Sequence, residues 1–176
     1  ERKFGYGGFS YNKRFWQPVI PDLINHWNLN SSSSLLDVGC AKGFFLHDLS
    51  IMIPGIKVKG IDISQYAIDN TIETMTDYCQ YGNAYNLEFQ DNSFDIVFSI
   101  NTVHNLEIEE CKVAIKEIER VSKKGSFITV DAYETEDEKE RMFKWNLTAK
   151  TILSKKDWKN VFNECGYTGD YYWFIP

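Results

Sequence analysis

Apolar positions along this chain switch repeatedly between a helical and a strand period. Ile20, Leu23, Ile24 and Trp27 recur at i, i+3, i+4 and i+7, which predicts a helix. Four serines, 31–34, then break the pattern as a polar linker. Leu35-Leu36-Asp37-Val38 reads as a short apolar strand, followed by a Gly-containing turn and a helix through Phe45, Leu46 and Leu49. Residues 56–61 predict a second strand, and Ser64 suits the N-cap of a helix that buries Ile68, Ile72 and Met75. A weak strand over 80–84 precedes a loop, and 94–100 is a strong buried strand. Ile108, Cys111, Ile115 and Ile118 mark another helix, with Lys123-Lys124-Gly125 suited to its C-terminus. Residues 126–132 predict the next strand. Ser154 caps a last helix striped by Trp158, Val161, Phe162 and Cys165, and 171–175 closes the chain as a strand. The acidic run 134–140 predicts a solvated helix start or loop. Strands alternating with helices imply an α/β fold: a central, mostly parallel twisted sheet with helices on both faces.

Residues 1–16 lack either period and are rich in Gly and aromatic residues, which predicts a loop. The 176 residues suffice for one domain with a sizeable core. The net charge of −6 disfavours a general polyanion binder, so nucleic acid is not the expected partner. No apolar run reaches the ~20 residues that span a bilayer. The four cysteines (40, 79, 111 and 165) form no CxxC pair and read as reduced thiols, which suits the cytoplasm and suggests neither a disulfide framework nor a metal site.

Parallel sheets bind ligands beyond the carboxyl ends of their strands, so the residues after each strand hold the candidate chemistry. The first turn reads Asp37-Val38-Gly39-Cys40-Ala41-Lys42-Gly43, whose small residues admit close backbone approach. A dinucleotide fingerprint would place glycines at 39, 41 and 44, where Ala41 and Phe44 break it, and no Gly-Lys-Ser/Thr ending marks a phosphate loop. The segment Leu-Leu-Asp-Val-Gly-Cys-Ala-Lys-Gly instead resembles motif I of the class I S-adenosylmethionine-dependent methyltransferases, with Ala41 replacing the usual middle glycine. Gly60-Ile61-Asp62-Ile63-Ser64 is similar to that family's second strand end. Gly82-Asn83-Ala84 and Asp91-Asn92-Ser93-Phe94-Asp95 resemble its adenine loop and fourth strand. The resemblance spans about residues 35–132 and points to a Rossmann-like methyltransferase fold with S-adenosyl-L-methionine as cofactor. Its small stand-alone members close to the ubiquinone-biosynthesis type are the nearest in kind.

That resemblance implies cofactor contacts from Asp37, Gly39, Cys40, Ala41, Gly43, Asp62, Ile63, Asn83, Ala84 and Asn101. Asp62, nineteen residues after Gly43, would accept two hydrogen bonds from the ribose diol. Asp37 would face the methionine amino group, and Asn83 would offer an amide to adenine where an Asp is common. After the fourth strand comes Asn101-Thr102-Val103-His104-Asn105. It lacks the Asn/Asp-Pro-Pro-aromatic motif of nucleic-acid amino-methylating enzymes, and Asn101 is a poor magnesium ligand, so no metal is expected. His104 is either a catalytic base that touches an acceptor hydroxyl or a packed structural side chain. Tyr11 and Tyr133 are the other candidate acceptor contacts.

With no inserted cap domain, the acceptor pocket would be covered by residues 1–34 acting as a lid on a methyltransferase domain of residues 35–176, with help from 143–153. The expected activity is methyl transfer to oxygen or nitrogen of a small-molecule acceptor. A non-catalytic cofactor-binding protein and a protein-modifying methyltransferase are the alternatives.

Overall fold

The computed structural model describes residues 9–176. Expected sequence signals build most of its elements. Helix α1 (Ile20–Trp27) carries Pro21 in its first turn, where the missing N–H is harmless, and ends at Asn28 in the left-handed conformation. Strand β1 (Ser34–Val38) leads through the glycine turn into α2 (Phe44–Met52), and β2 (Lys57–Asp62) leads into α3 (Gln65–Asp69). Ser64 caps α3 by accepting the Ala67 N–H. That helix is shorter than its apolar spacing predicts. The chain leaves α3 at Asn70, and Met75 lies in a separate 3-10 turn, Glu73–Met75, whose approach is fixed by the Ile72 N–H on the Lys42 carbonyl. Strand β3 (Cys79–Tyr81) and β4 (Phe94–Ile100) follow, then a 3-10 turn (Val103–Asn105) and α4 (Ile108–Val121).

Lys123, Lys124 and Gly125 do not end α4. They belong to β5 (Ser122–Tyr133), because Ser122 turns to extended backbone and pairs with Phe94. Lys124 bonds Asp95, and Gly125 lies against the Trp27 ring, so tertiary contacts override the helix-ending signal. The acidic run does start a helix, α5 (Glu136–Trp145), through a reciprocal capping box between Thr135 and Glu138. A two-residue β6 (Leu153–Ser154), α6 (Lys155–Cys165) and β7 (Asp170–Phe174) complete the chain.

The main path of the sheet runs β3-β2-β1-β4-β5-β6, and β7 also pairs with β5. Every strand pair is parallel. The last strand, β7, runs parallel alongside β5. Successive strand residues face opposite cores. Leu36, Val38, Val97, Ile128 and Val130 join α4 and α6 on one side, while Leu35, Ile96, Phe98 and Val58 join α1 and α2 on the other. Burial on both faces explains why the strands read as apolar runs. The chain order reverses between β1 and β4, so the tips of β1, β2 and β4 open onto one crevice. No helix among the described residues is long and apolar enough to cross a membrane.

Candidate functional site

At that crevice lies a cavity of about 700 Å³, within the size range of small-ligand sites. Its wall includes Asp37, Gly39, Cys40 and Ala41 from the first turn, Asp62 and Ile63 after β2, Asn83 and Ala84 after β3, and Asn101 after β4. Nine of the ten expected cofactor contacts therefore meet at one site. The tenth, Gly43, lies behind it as the left-handed residue that starts α2, where an added Cβ would press on Cys79 Sγ at 3.0 Å.

The glycine turn is dictated by sterics. Gly39 has φ +90°, and a Cβ there would overlap the Thr102 side chain, 2.1 Å from its Oγ1. Beneath the turn, Gly60 leaves the space that Cys40 fills. Contact with the Cys79 thiol, with burial, raises the Cys40 pKa and keeps it a neutral thiol. Ala41 adopts φ +47° and donates its N–H to Asp62 Oδ2 at 2.8 Å. Asp62 Oδ1 accepts the Ser64 N–H, also at 2.8 Å. The carboxylate is thereby fixed at the tip of β2 with lone pairs left for the cavity.

Asp37 is the anomaly of the site. It is only 4% exposed, and its carboxylate has no hydrogen-bond or ion-pair partner among the described residues. Burial, reinforced by the nearby Asp62 charge, pushes its pKa from 3.8 up to about 7. A buried carboxylate in a cavity, short of a counter-charge, is a seat for a cationic ligand. A methyl-sulfonium compound carrying an α-amino group supplies such a cation, and its ribose diol matches the free lone pairs of Asp62. The residues present therefore fit the implied cofactor.

The three expected acceptor contacts, Tyr11, His104 and Tyr133, are placed outside the cavity lining. Tyr11 lies on α2, where its hydroxyl donates to Asp48 Oδ1 at 2.6 Å and its ring meets His47 edge-on. Tyr133 packs at the end of β5 beneath Lys139. His104 is 3% exposed. Its Nδ1 accepts the Asp131 N–H at 3.2 Å, so Nε2 carries the proton and faces Asp131 Oδ2 at 3.7 Å. Burial lowers its pKa from 6.5 to about 4, and desolvation raises that of Asp131 to about 6. Of the two readings of His104, the structural one matches this geometry.

Sequence reasoning missed much of the cavity's other wall. The 101–106 and 146–151 loops are knitted together. Thr129 Oγ1 donates to Asn101 Oδ1 and accepts the Asn101 N–H, each at 2.8 Å, holding Asn101 at φ +52°. Asn105 Nδ2 donates to the Asn101 carbonyl, and Thr148 Oγ1 donates to Asn105 Oδ1. Lys150 and Thr151 N–H groups both bond the His104 carbonyl. This sets Leu106, Leu147, Thr148 and Lys150 on the cavity wall. The run 143–153 is expected to help cover the pocket only because no cap domain is inserted, without any of its residues being singled out. Trp16 also lines the cavity, its ring tilted against that of Phe45 with centroids 5.0 Å apart. Its segment is anchored by Asp48, which accepts from both Tyr11 and Gln17.

Residues 36–130 match the methyltransferase domain family. The chain is 26% identical to a sterol 24-C-methyltransferase of Gibberella zeae over 83% of its length and 42% of that protein's. It is 32% identical to the tRNA (carboxymethyluridine(34)-5-O)-methyltransferase of Arabidopsis thaliana, over 71% of this chain and 30% of the relative. Among solved structures it resembles the methyltransferase in complex with the Haloferax volcanii Trm112 methyltransferase activator. That match has a TM-score of 0.69 at 20% identity, over 88% of this chain and 70% of the other. The chain spans 62% of the first curated relative's length and less than half of the sterol enzyme's. With a family match over more than half its length, this fold and this cavity, the chain belongs to the methyltransferase domain family and has the class I Rossmann-like fold.

Proposed function

We propose that the cavity binds S-adenosyl-L-methionine and that the protein transfers its methyl group to oxygen or nitrogen of a small-molecule acceptor. One observation carries the reading: Asp37 is buried beside the glycine turn with no partner among the described residues, 25 residues before Asp62 in sequence and close enough to feel its charge. Asp37 would take the methionine cation, Asp62 the ribose diol, and Ile63, Asn83 and Ala84 the adenine. The Asn83 side chain bonds the Tyr85 N–H through Oδ1, so its Nδ2 is the group available to a base edge. Gly39, Cys40 and Ala41 contribute close backbone, with Gly43 shaping the turn.

The bound cofactor supplies an electrophilic methyl, and the chain's part is to orient it and exclude water. The expected lid of residues 1–34 on the 35–176 domain is supported in its described part, where the stretch from Tyr11 to Gln17 is latched to Asp48 and carries Trp16 to the cavity. The first eight residues of that expected lid lie outside the described residues. The free cysteines, all buried, suit a cytoplasmic setting.

Relatives acting on sterol and on tRNA share this domain, so the family alone does not select an acceptor. The cavity's apolar mouth and the net charge of −6 favour a small one. The test is incubation with methyl-labelled cofactor and a cell extract, followed by separation. Label in small molecules supports the proposal; label in protein or nucleic acid, or in nothing, refutes the acceptor class.

A further inference from the structure

The cavity wall opposite the glycine turn combines an apolar surface with unmatched donors. Leu147 is 88% exposed, an unusual state for a leucine that borders a cavity, and Leu106 and Trp16 share the lining. Asn101 spends its Oδ1 on Thr129, so only its Nδ2 hydrogens remain to face the cavity. Lys150 lines the same wall. Its sole ion-pair partner among the described residues is Glu107 at 3.7 Å, an exposed pair that holds it weakly. The other lining cation, Lys42, is on the glycine-turn side, bonded to the Phe9 carbonyl and over the Tyr66 ring.

Among the described lining residues, the titratable ones are Asp37, Cys40, Asp62, Lys42 and Lys150, and contact with Cys79, with burial, keeps the Cys40 thiol neutral. The two carboxylates are those assigned to the cofactor, and His104 is sealed behind the wall with its Nδ1 already used. Among the described lining residues no group is thus left to take a proton from an acceptor hydroxyl, while two donors await negative charge.

Resting on the reading of the site given above, we propose that the acceptor is an anionic amphiphile. Its apolar body lies on Leu147, Leu106 and Trp16, and its oxyanion is held by Lys150 and the Asn101 amide. The oxygen attacks as a preformed anion. An O–C bond forms to the methyl carbon as the C–S bond breaks, and the electron pair goes to sulfur, leaving a neutral thioether. Both charges vanish and no proton is released, so the step needs no base. The apolar side chains of Leu106 and Trp16 beside the site lower the local polarity and strengthen attraction between anion and sulfonium.

Calorimetry on the protein loaded with S-adenosylhomocysteine, using octanoate, octan-1-ol and octylamine as probes, tests this directly. Octanoate is expected to bind at least about tenfold more tightly than either neutral or cationic analogue, the usual worth of one charge-assisted contact. Lys150→Met should erase that preference and Lys150→Arg should keep it, with S-adenosylhomocysteine affinity unchanged in both. If S-adenosylhomocysteine binds and octan-1-ol matches octanoate, or Lys150→Met keeps the preference, the anionic acceptor is overturned while the cofactor site stands. If S-adenosylhomocysteine itself fails to bind, the underlying site reading falls first.

Discussion

Replacing Asp37 by Asn isolates the electrostatic cost of the site, because the amide keeps the shape and removes the charge. In the folded protein the Asp37 pKa lies at about 7 against an ordinary 3.8, raised first by burial and then by Asp62. A raised pKa means that the folded state favours the protonated acid. The stability this gives is complete below about pH 4 and is lost as pH rises through 7. The full shift corresponds to at most about 4 kcal/mol. Against it stands the cost of burying an unpaired amide, about 1–2 kcal/mol. The ligand-free Asn variant should therefore be less stable than the parent at pH 4 and more stable, by about 2–3 kcal/mol, at pH 8. For a domain of this size that is roughly a 4–10 °C rise in Tm. Thermal unfolding at unit steps from pH 4 to 9 reads the crossover. Adding Asp62→Asn should move the midpoint to lower pH by removing the second cause. A difference between variant and parent that stays constant across this range would refute the reasoning, since it would mean that Asp37 bears no unbalanced charge. Cofactor affinity should move the opposite way, falling in the variant that is more stable at pH 8.

Other substitutions probe separate parts of the account. Gly39→Ala combines left-handed backbone with overlap on Thr102, so it should cost about 3 kcal/mol and abolish cofactor binding, measured by denaturant unfolding and calorimetry. Arg120 bonds the Leu87 and Phe89 carbonyls as well as Glu117 and Asp91, tying down the chain that follows Asn83 and Ala84. Arg120→Met should cost about 2–4 kcal/mol in urea unfolding and weaken cofactor binding. His104 has a folded pKa of about 4, below its ordinary 6.5, so its contribution to stability is complete above pH 6.5 and is lost as pH falls through 4. A His104→Gln variant should show a weaker loss of Tm over that interval, and the parent's turnover should show no inflection near 6.5. Tyr11→Phe removes a hydrogen bond to a buried carboxylate, Asp48, whose other oxygen has no partner among the described residues. It should cost about 1.5–3 kcal/mol and expose Trp16, visible as a shift in tryptophan fluorescence.

Much of this molecule was legible before its fold. Buried strands announce themselves as β-branched runs, and the residues after three of them carry the chemistry that brings nine of ten cofactor candidates together. Local signals failed where long-range contacts took over. Lys123-Lys124-Gly125 reads as a helix end, yet Ser122 pairing with Phe94, the Asp95 bond to Lys124 and the Trp27 ring against Gly125 draw it into the sheet. The apolar spacing of Ile68, Ile72 and Met75 suits one helix, but the Lys42 carbonyl captures the Ile72 N–H after α3 has ended. For His104, sequence leaves base and packed side chain equally open, because its fate depends on a loop about 45 residues downstream closing over it. The same distance kept Leu147 and Lys150 from being singled out within the expected cover of 143–153. No periodicity marks residues that line a cavity only because Thr148 and Asn105 happen to bond.

The most direct test of the central claim is titration of S-adenosyl-L-methionine into the protein and into its Asp62→Ala variant. The account predicts one site per chain for the parent. Loss of two charge-assisted acceptors should weaken the variant about 100-fold. No binding to the parent, or equal binding to both proteins, would contradict it.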